Sequence, residues 1–173
     1  ALLIFLFVFT TLVLIFTPFF IFLFAPGFYF QPETLGISSQ VLRIMFPYLA
    51  LISLVTFAGG IQNTHQKFSV PAYTPVIFNL CLIIAAVFIA PKHNMPIYTL
   101  AWGVLLAGVL QLLIQIAPLK DINRLPVPKL NFKNEGVKRF FKIILPSILA
   151  GGIIQINLLI DTIFASLLMT GSP

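Results

Sequence analysis

Four long stretches of this chain, residues 1–32, 44–66, 68–91 and 93–119, contain no Asp, Glu, Lys or Arg. Each is long enough to cross a hydrocarbon core about 30 Å thick, which takes about 20 apolar residues in a helix. Composition excludes the alternative of a water-soluble globule: 60% of the 173 residues are apolar and only 8% are charged, against roughly a quarter charged in soluble domains. Backbone groups find no water to bond in lipid, so a span must be a helix or belong to a closed barrel. The apolar runs exceed 18 residues and lack strict alternation, which selects helices. The fold class is an all-α integral membrane protein.

Five transmembrane helices are expected, over about 3–25, 39–63, 71–90, 98–117 and 142–169, with a basic connector at 118–141. Pro26-Gly27 is read as the stop of the first helix, because the pair breaks helices. Ser38 or Ser39 is read as the N-cap of the second. Basic residues are unevenly distributed among the loops. The loop at 26–38 has none, 64–70 has Lys67 and 91–97 has Lys92. The stretch 118–142 has seven: Lys120, Arg124, Lys129, Lys133, Lys138, Arg139 and Lys142. The positive-inside rule therefore places the second and fourth loops in the cytoplasm, with the first helix running outward. Apolar sequence starts directly at Ala1 without a signal-peptide pattern, and the end at Thr170–Pro173 is equally abrupt, so a piece of a longer chain is expected.

Several kinds of chemistry are disfavoured. The single Cys81 excludes a disulfide framework or a cysteine metal cluster. His65 and His93 fall at segment ends, without neighbouring ligands. The net charge of +6 is explained by loop topology and needs no nucleic-acid partner. Catalytic templates are missing too: there is no suitable carboxylate pair, no Ser–His–Asp set and no glycine-rich phosphate loop. An enzyme is not expected.

The polar residues inside the spans are the candidates for function. On the fifth helix Asn157 and Asp161 are four apart and share a face, with Gln155, Thr162 and Ser166 on a neighbouring stripe. Asp161 falls about 7 Å from the midpoint of a helix over 143–170, at 1.5 Å per residue. A carboxylate there costs on the order of 2.5–3.5 kcal/mol on insertion scales, so it is expected to face a water-filled cavity, a cation or a partner within the bundle. Arg43, near the outer interface, either snorkels to headgroups or meets a substrate phosphate. Lys138, Arg139 and Lys142, interleaved with Phe140 and Phe141, suit a helix lying on the cytoplasmic interface, either anchoring topology or attracting an anionic lipid headgroup. The amides Gln62, Asn63, Asn79, Gln111 and Gln115 are expected to bond between helices. Pro18, Pro47, Pro75 and Pro146 are expected to kink their spans. Gly59-Gly60, Gly103-x-x-x-Ala107 and Gly151-Gly152 either let backbones approach closely or serve as hinges.

Three runs carry a specific resemblance: FPYLALISLVTFAGGIQNTHQKFSVPAYTPVIFNLCLI (46–83), LAWGVLLAGVLQLLIQIAPL (100–119) and ILPSILAGGIIQINLLIDTIFASLL (144–168). In order and spacing they resemble the MurJ (MviN) lipid II flippase family. That family shares a superfamily with multidrug and polysaccharide exporters. The resemblance implies helices three to seven of about fourteen, within a two-lobed, MATE-like bundle in the bacterial inner membrane. It implies flipping of the undecaprenyl-diphosphate-linked precursor lipid II by alternating access. Membrane lipids and cell-wall synthesis proteins are the implied partners. The family's acid-or-amide position in its seventh helix falls on Asp161, which implies a sodium ligand as coupling cation and no other cofactor. The family's cavity arginines lie mainly in helices one, two and eight, outside this chain, and Arg43 is not part of the family pattern. A cation-coupled drug exporter and a non-transporting membrane scaffold are the competing readings.

Overall fold

The computed structural model describes residues 2–121, Pro146, Gly152 and 155–165. Every regular element among them is helical. They fall into two compact units, one built from residues 2–15 and 40–121, the other from 16–39 and 155–165.

Proline sets most of the helix boundaries. α1 (Leu2–Ile15) ends before Phe16, and α2 (Thr17–Phe24) restarts on Thr17-Pro18. α3 (Pro26–Tyr29), α4 (Pro32–Met45), α5 (Pro47–Thr64) and α7 (Pro96–Asp121) each have proline as their first residue. Its fixed φ suits a helix, and its missing N–H would be unpaired in a first turn anyway. In a helix interior the same ring would clash with the carbonyl four residues back. Two expectations are corrected on this ground. The first span, expected as one helix over 3–25, is interrupted at Phe16. The expected loop at 26–38 is instead helical, and Ser38 and Ser39 lie inside α4 rather than capping a helix. Pro26-Gly27 does end α2, but it also opens α3.

α6 (Ser69–Ile84) carries Pro75 in its interior and continues through a π turn, Ala85–Ile89, and a 3₁₀ turn, Ala90–Lys92. α7 runs to Asp121, so the start of the expected basic connector is still helix. α8 (Gln155–Ala165) is the described part of the fifth expected span. Pro32–Thr64, Ser69–Lys92 and Pro96–Asp121 are each long and apolar enough to cross a membrane, and α1 with α2 makes a fourth such stretch only if the two, broken at Phe16, count as one span.

In the larger unit α7 packs along both α5 and α6, α1 packs on α5, and α5 and α6 touch each other only sparingly. The face of α7 that is buried carries Ala101, Gly103, Val104, Ala107, Gly108, Gln111 and Gln115. The bulky Trp102, Leu106 and Leu113 are more than half exposed. Small and polar residues inside, large apolar ones outside, is the pattern expected where lipid removes any hydrophobic drive between helices. The glycines allow the close approach. A Cβ on Gly103 would lie 2.8 Å from the Ala85 Cβ, and one on Gly108 would lie 2.7 Å from Tyr48 Cδ2. At these two positions the small residues serve packing. Gly60, by contrast, meets nothing within 4 Å.

The link from α5 to α6 is tight. Gln66 adopts a left-handed φ of 58°, its N–H donates to Asn63 O at 3.1 Å, and Lys67 N–H donates to Gln62 O at 3.0 Å. This is the hydrogen-bond pattern of a Schellman helix end, with glutamine where glycine is usual. Beyond it the Lys67 ammonium sits 3.3 Å from the Asp121 carboxylate. The second loop and the C-terminal end of α7 therefore share one end of this unit, as the charge distribution requires.

Candidate functional site

α5, α6 and α7 are joined by side-chain amides. Gln62, Gln111 and Gln115 are 0%, 2% and 1% exposed, and Thr74 is also buried. Gln62 Nε2 donates to Gln115 Oε1 and, at 3.4 Å, to the Gln115 backbone carbonyl. Gln115 Nε2 donates to Thr74 Oγ1 at 3.3 Å, and that hydroxyl donates to Val70 O at 3.2 Å. Gln111 Nε2 donates to the Thr74 carbonyl at 2.8 Å. The spacing explains the clasp: Gln111 and Gln115 stand one turn apart on α7, and Thr74 precedes the helix-weakening Pro75 on α6. Interhelical bonding by Gln62, Gln111 and Gln115 is thus what the sequence led one to expect. The part taken by Thr74 is new, and its only sequence signal is a hydroxyl next to an in-span proline.

Because α5 and α6 splay apart over α7, a cleft of about 430 Å³ opens between them. One end is lined by Tyr48, Ile52, Val55 and Phe78, the other by Asn63, Thr74, Gln111 and Gln115. The Tyr48 and Phe78 rings lie with centroids 5.5 Å apart. Gln111 Oε1 and Gln62 Oε1 are buried and accept no hydrogen bond among the described residues. Both amides are oriented by backbone carbonyls, which can only accept, so their nitrogens are fixed and these oxygens are true acceptors.

The residues singled out in the sequence lie elsewhere. Gln155, Asn157 and Asp161 are exposed on α8, and Thr162 Oγ1 donates back to Leu158 O at 2.7 Å. On the same helix Ile156, Leu158 and Phe164 are more than half exposed. Arg43 is exposed in the last turn of α4, where a cation complements the helix dipole. Lys138, Arg139 and Lys142 lie outside the described residues. No group of three or more His, Cys, Asp or Glu occurs among the described residues. Asp161 and Asn157 stand one turn apart on α8.

The helices and their inverted polarity, with amides inside and aromatics outside, define a multi-pass α-helical membrane protein. Comparison with known proteins narrows this. The model of the family described as "Lipid II flippase MurJ" matches residues 1–173. The chain is 40% identical over 156 residues to the "Lipid II flippase MurJ" of Burkholderia cenocepacia, covering 88% of this chain and 30% of the relative. It is 43% identical over 148 residues to the "Probable lipid II flippase MurJ" of Buchnera aphidicola from Acyrthosiphon pisum, covering 86% and 29%. The corresponding protein of Haemophilus influenzae is 42% identical over 135 residues, covering 78% and 26%. The chain belongs to the MurJ lipid II flippase family, and it spans about 30% of the length of the curated relatives it matches.

Proposed function

We propose that the whole protein, of which this chain is a part, flips lipid II from the cytoplasmic to the outer leaflet of the bacterial inner membrane. The observation that carries this reading is the family match over all 173 residues, on a chain with three described helical stretches of membrane-crossing length. Transport rather than covalent catalysis is what the description of the matching family supports. The mechanism proposed is alternating access of two lobes around a site near the membrane midplane. This chain contributes part of the N-terminal lobe.

Within that scheme Asp161, with Asn157 one turn away and Gln155 beside them, lines the substrate path. Asp161 supplies one ligand to a coupling cation such as sodium. Lys138, Arg139 and Lys142 gather the anionic precursor at the inner leaflet by charge attraction, and Arg43 steadies α4 at the opposite interface. Membrane lipids and cell-wall synthesis proteins are the partners this role requires.

The test is complementation of a flippase-depleted bacterial strain by the full-length gene, with Asp161→Ala and Asp161→Asn alongside. Rescue by wild type is expected, with transport impaired in Asp161→Ala and partly retained in Asp161→Asn. Failure of the wild-type gene at normal membrane abundance would overturn the flippase reading, and export of cationic dyes without rescue would favour a drug exporter. Full precursor flux in Asp161→Ala would remove that residue from the mechanism.

A further inference from the structure

The cleft between α5 and α6 has a chemistry that the flippase reading above does not use. None of its described lining residues is charged. An ion entering it would lose its hydration without a counter-charge, a cost of several kcal/mol or more. A bare acyl chain fits no better, because the polar end demands donors. Gln111 lines that end and is almost fully buried, yet its Oε1 has no donor among the described residues. The Pro71 carbonyl is also without its helical donor, since Pro75 four residues on has no N–H. Asn63 adds an exposed amide at the same end. The other end presents the Tyr48 and Phe78 rings and the aliphatic Ile52 and Val55. A volume of about 430 Å³ lies in the range of small-ligand pockets, roughly 300–1,000 Å³.

An uncharged ligand rich in hydrogen-bond donors, with an apolar face, answers all of these features. Carbohydrates are built that way: their hydroxyls and acetamido N–H groups donate, and their C–H faces lie on aromatic rings. We infer that this cleft is a binding site for a sugar ring of a glycolipid, its donors toward Gln111, Asn63 and Pro71 and its C–H face toward Tyr48 and Phe78. The polar end is also the right end for a headgroup. Asn63 is in the last turn of α5, just before the turn that carries Lys67, and Gln115 lies six residues before Asp121, about 9 Å along α7 at 1.5 Å per residue. The charge distribution assigns that end to the cytoplasmic side. The natural ligand rests on the flippase reading, under which the cleft would hold part of the precursor's disaccharide within the lobe. The site itself does not.

Full-length protein in lipid nanodiscs, free of glycoside detergents, would be photolabelled with a diazirine-bearing octyl N-acetylglucosaminide and the labelled residues located by mass spectrometry. Label is expected on the α5–α6 cleft, displaced by excess octyl glucoside but not by octyl phosphocholine or by sodium chloride. Gly60→Leu fills the cleft from a position whose Cβ meets nothing and should cut labelling about tenfold, as should Gln111→Met, which removes the acceptor. Three results overturn the site: no label in the cleft, label unchanged in Gly60→Leu, or equal displacement by octyl phosphocholine. The two readings fail separately. Labelled cleft without precursor transport refutes the flippase, and transport with an unlabelled cleft refutes the sugar site.

Discussion

The sharpest test of the packing is a pair of glycine substitutions on neighbouring helices. In Gly103→Ala the new methyl would lie 2.8 Å from the Ala85 Cβ, where carbon atoms normally keep about 3.5–4.0 Å. Ala85 has no rotamer to yield, so α7 and the π turn must separate by about 0.7 Å along much of their contact. Overpacking of that kind costs about 1–3 kcal/mol, offset by about 1 kcal/mol from replacing a helical glycine. The net is a loss of about 1 kcal/mol. Gly60→Ala places its methyl in open space and should keep the whole helical gain of about 1 kcal/mol. The two variants are thus expected to differ by about 2 kcal/mol, close to 30-fold in the unfolding equilibrium. Denaturant titration or steric trapping of the full-length protein in bicelles measures this directly. Adding Ala85→Gly should recover the contact-dependent part of the Gly103→Ala loss. Equal stability of the two alanine variants, or no recovery in the double variant, would refute the reasoning.

Other expectations follow from the same unit. Gln66→Gly should stabilise the protein by about 1 kcal/mol, because the left-handed φ of 58° strains every residue with a Cβ; Gln66→Val should destabilise it, and thermal unfolding distinguishes the two. Gln62→Leu and Gln115→Leu should each cost about 0.6–1.7 kcal/mol, and the double variant less than their sum, measured as a double-mutant cycle. Lys67→Ala should cost under about 1 kcal/mol, since its ion pair with Asp121 is solvent-exposed and such pairs contribute little. In a Cys81→Ser background, Lys67→Cys and Asp121→Cys should react with an impermeant maleimide from the same side of the membrane, and opposite sides would break the topology.

Hydropathy alone disclosed the membrane-crossing stretches, because about 20 uncharged apolar residues leave few alternatives to a span. Helix ends were less legible. Pro18, Pro26 and Pro47 read as breakers or kinks, whereas here they head new helices, and a sequence does not say which side of a break a proline belongs to. The helical 26–38 segment escaped for the same reason, with its polar Glu33, Ser38 and Ser39 resembling a loop. Gln62, Gln111 and Gln115 were legible as amides that bond between helices. The cleft above them depends on how far α5 and α6 splay, which no local pattern encodes. The kinship with lipid II flippases was legible in the motifs themselves, since the NTHQKFSVPA stretch and the Asp161 segment keep their order and spacing.

That α7 is the common neighbour of α5 and α6 has a consequence for biosynthesis. Chains leave the ribosome N-terminus first, so α5 and α6 enter the bilayer before their shared partner has been made. During that interval the Gln62 amide and the Thr74 hydroxyl have no α7 glutamine to meet, and the two helices have little surface in common to hold them. A nascent chain halted before Pro96 would present the bare Gln62 amide to hydrocarbon, a half-assembled species open to mispairing and to membrane proteases. Completion of the third rod is therefore the commitment step, the moment at which two sparingly packed helices become one body.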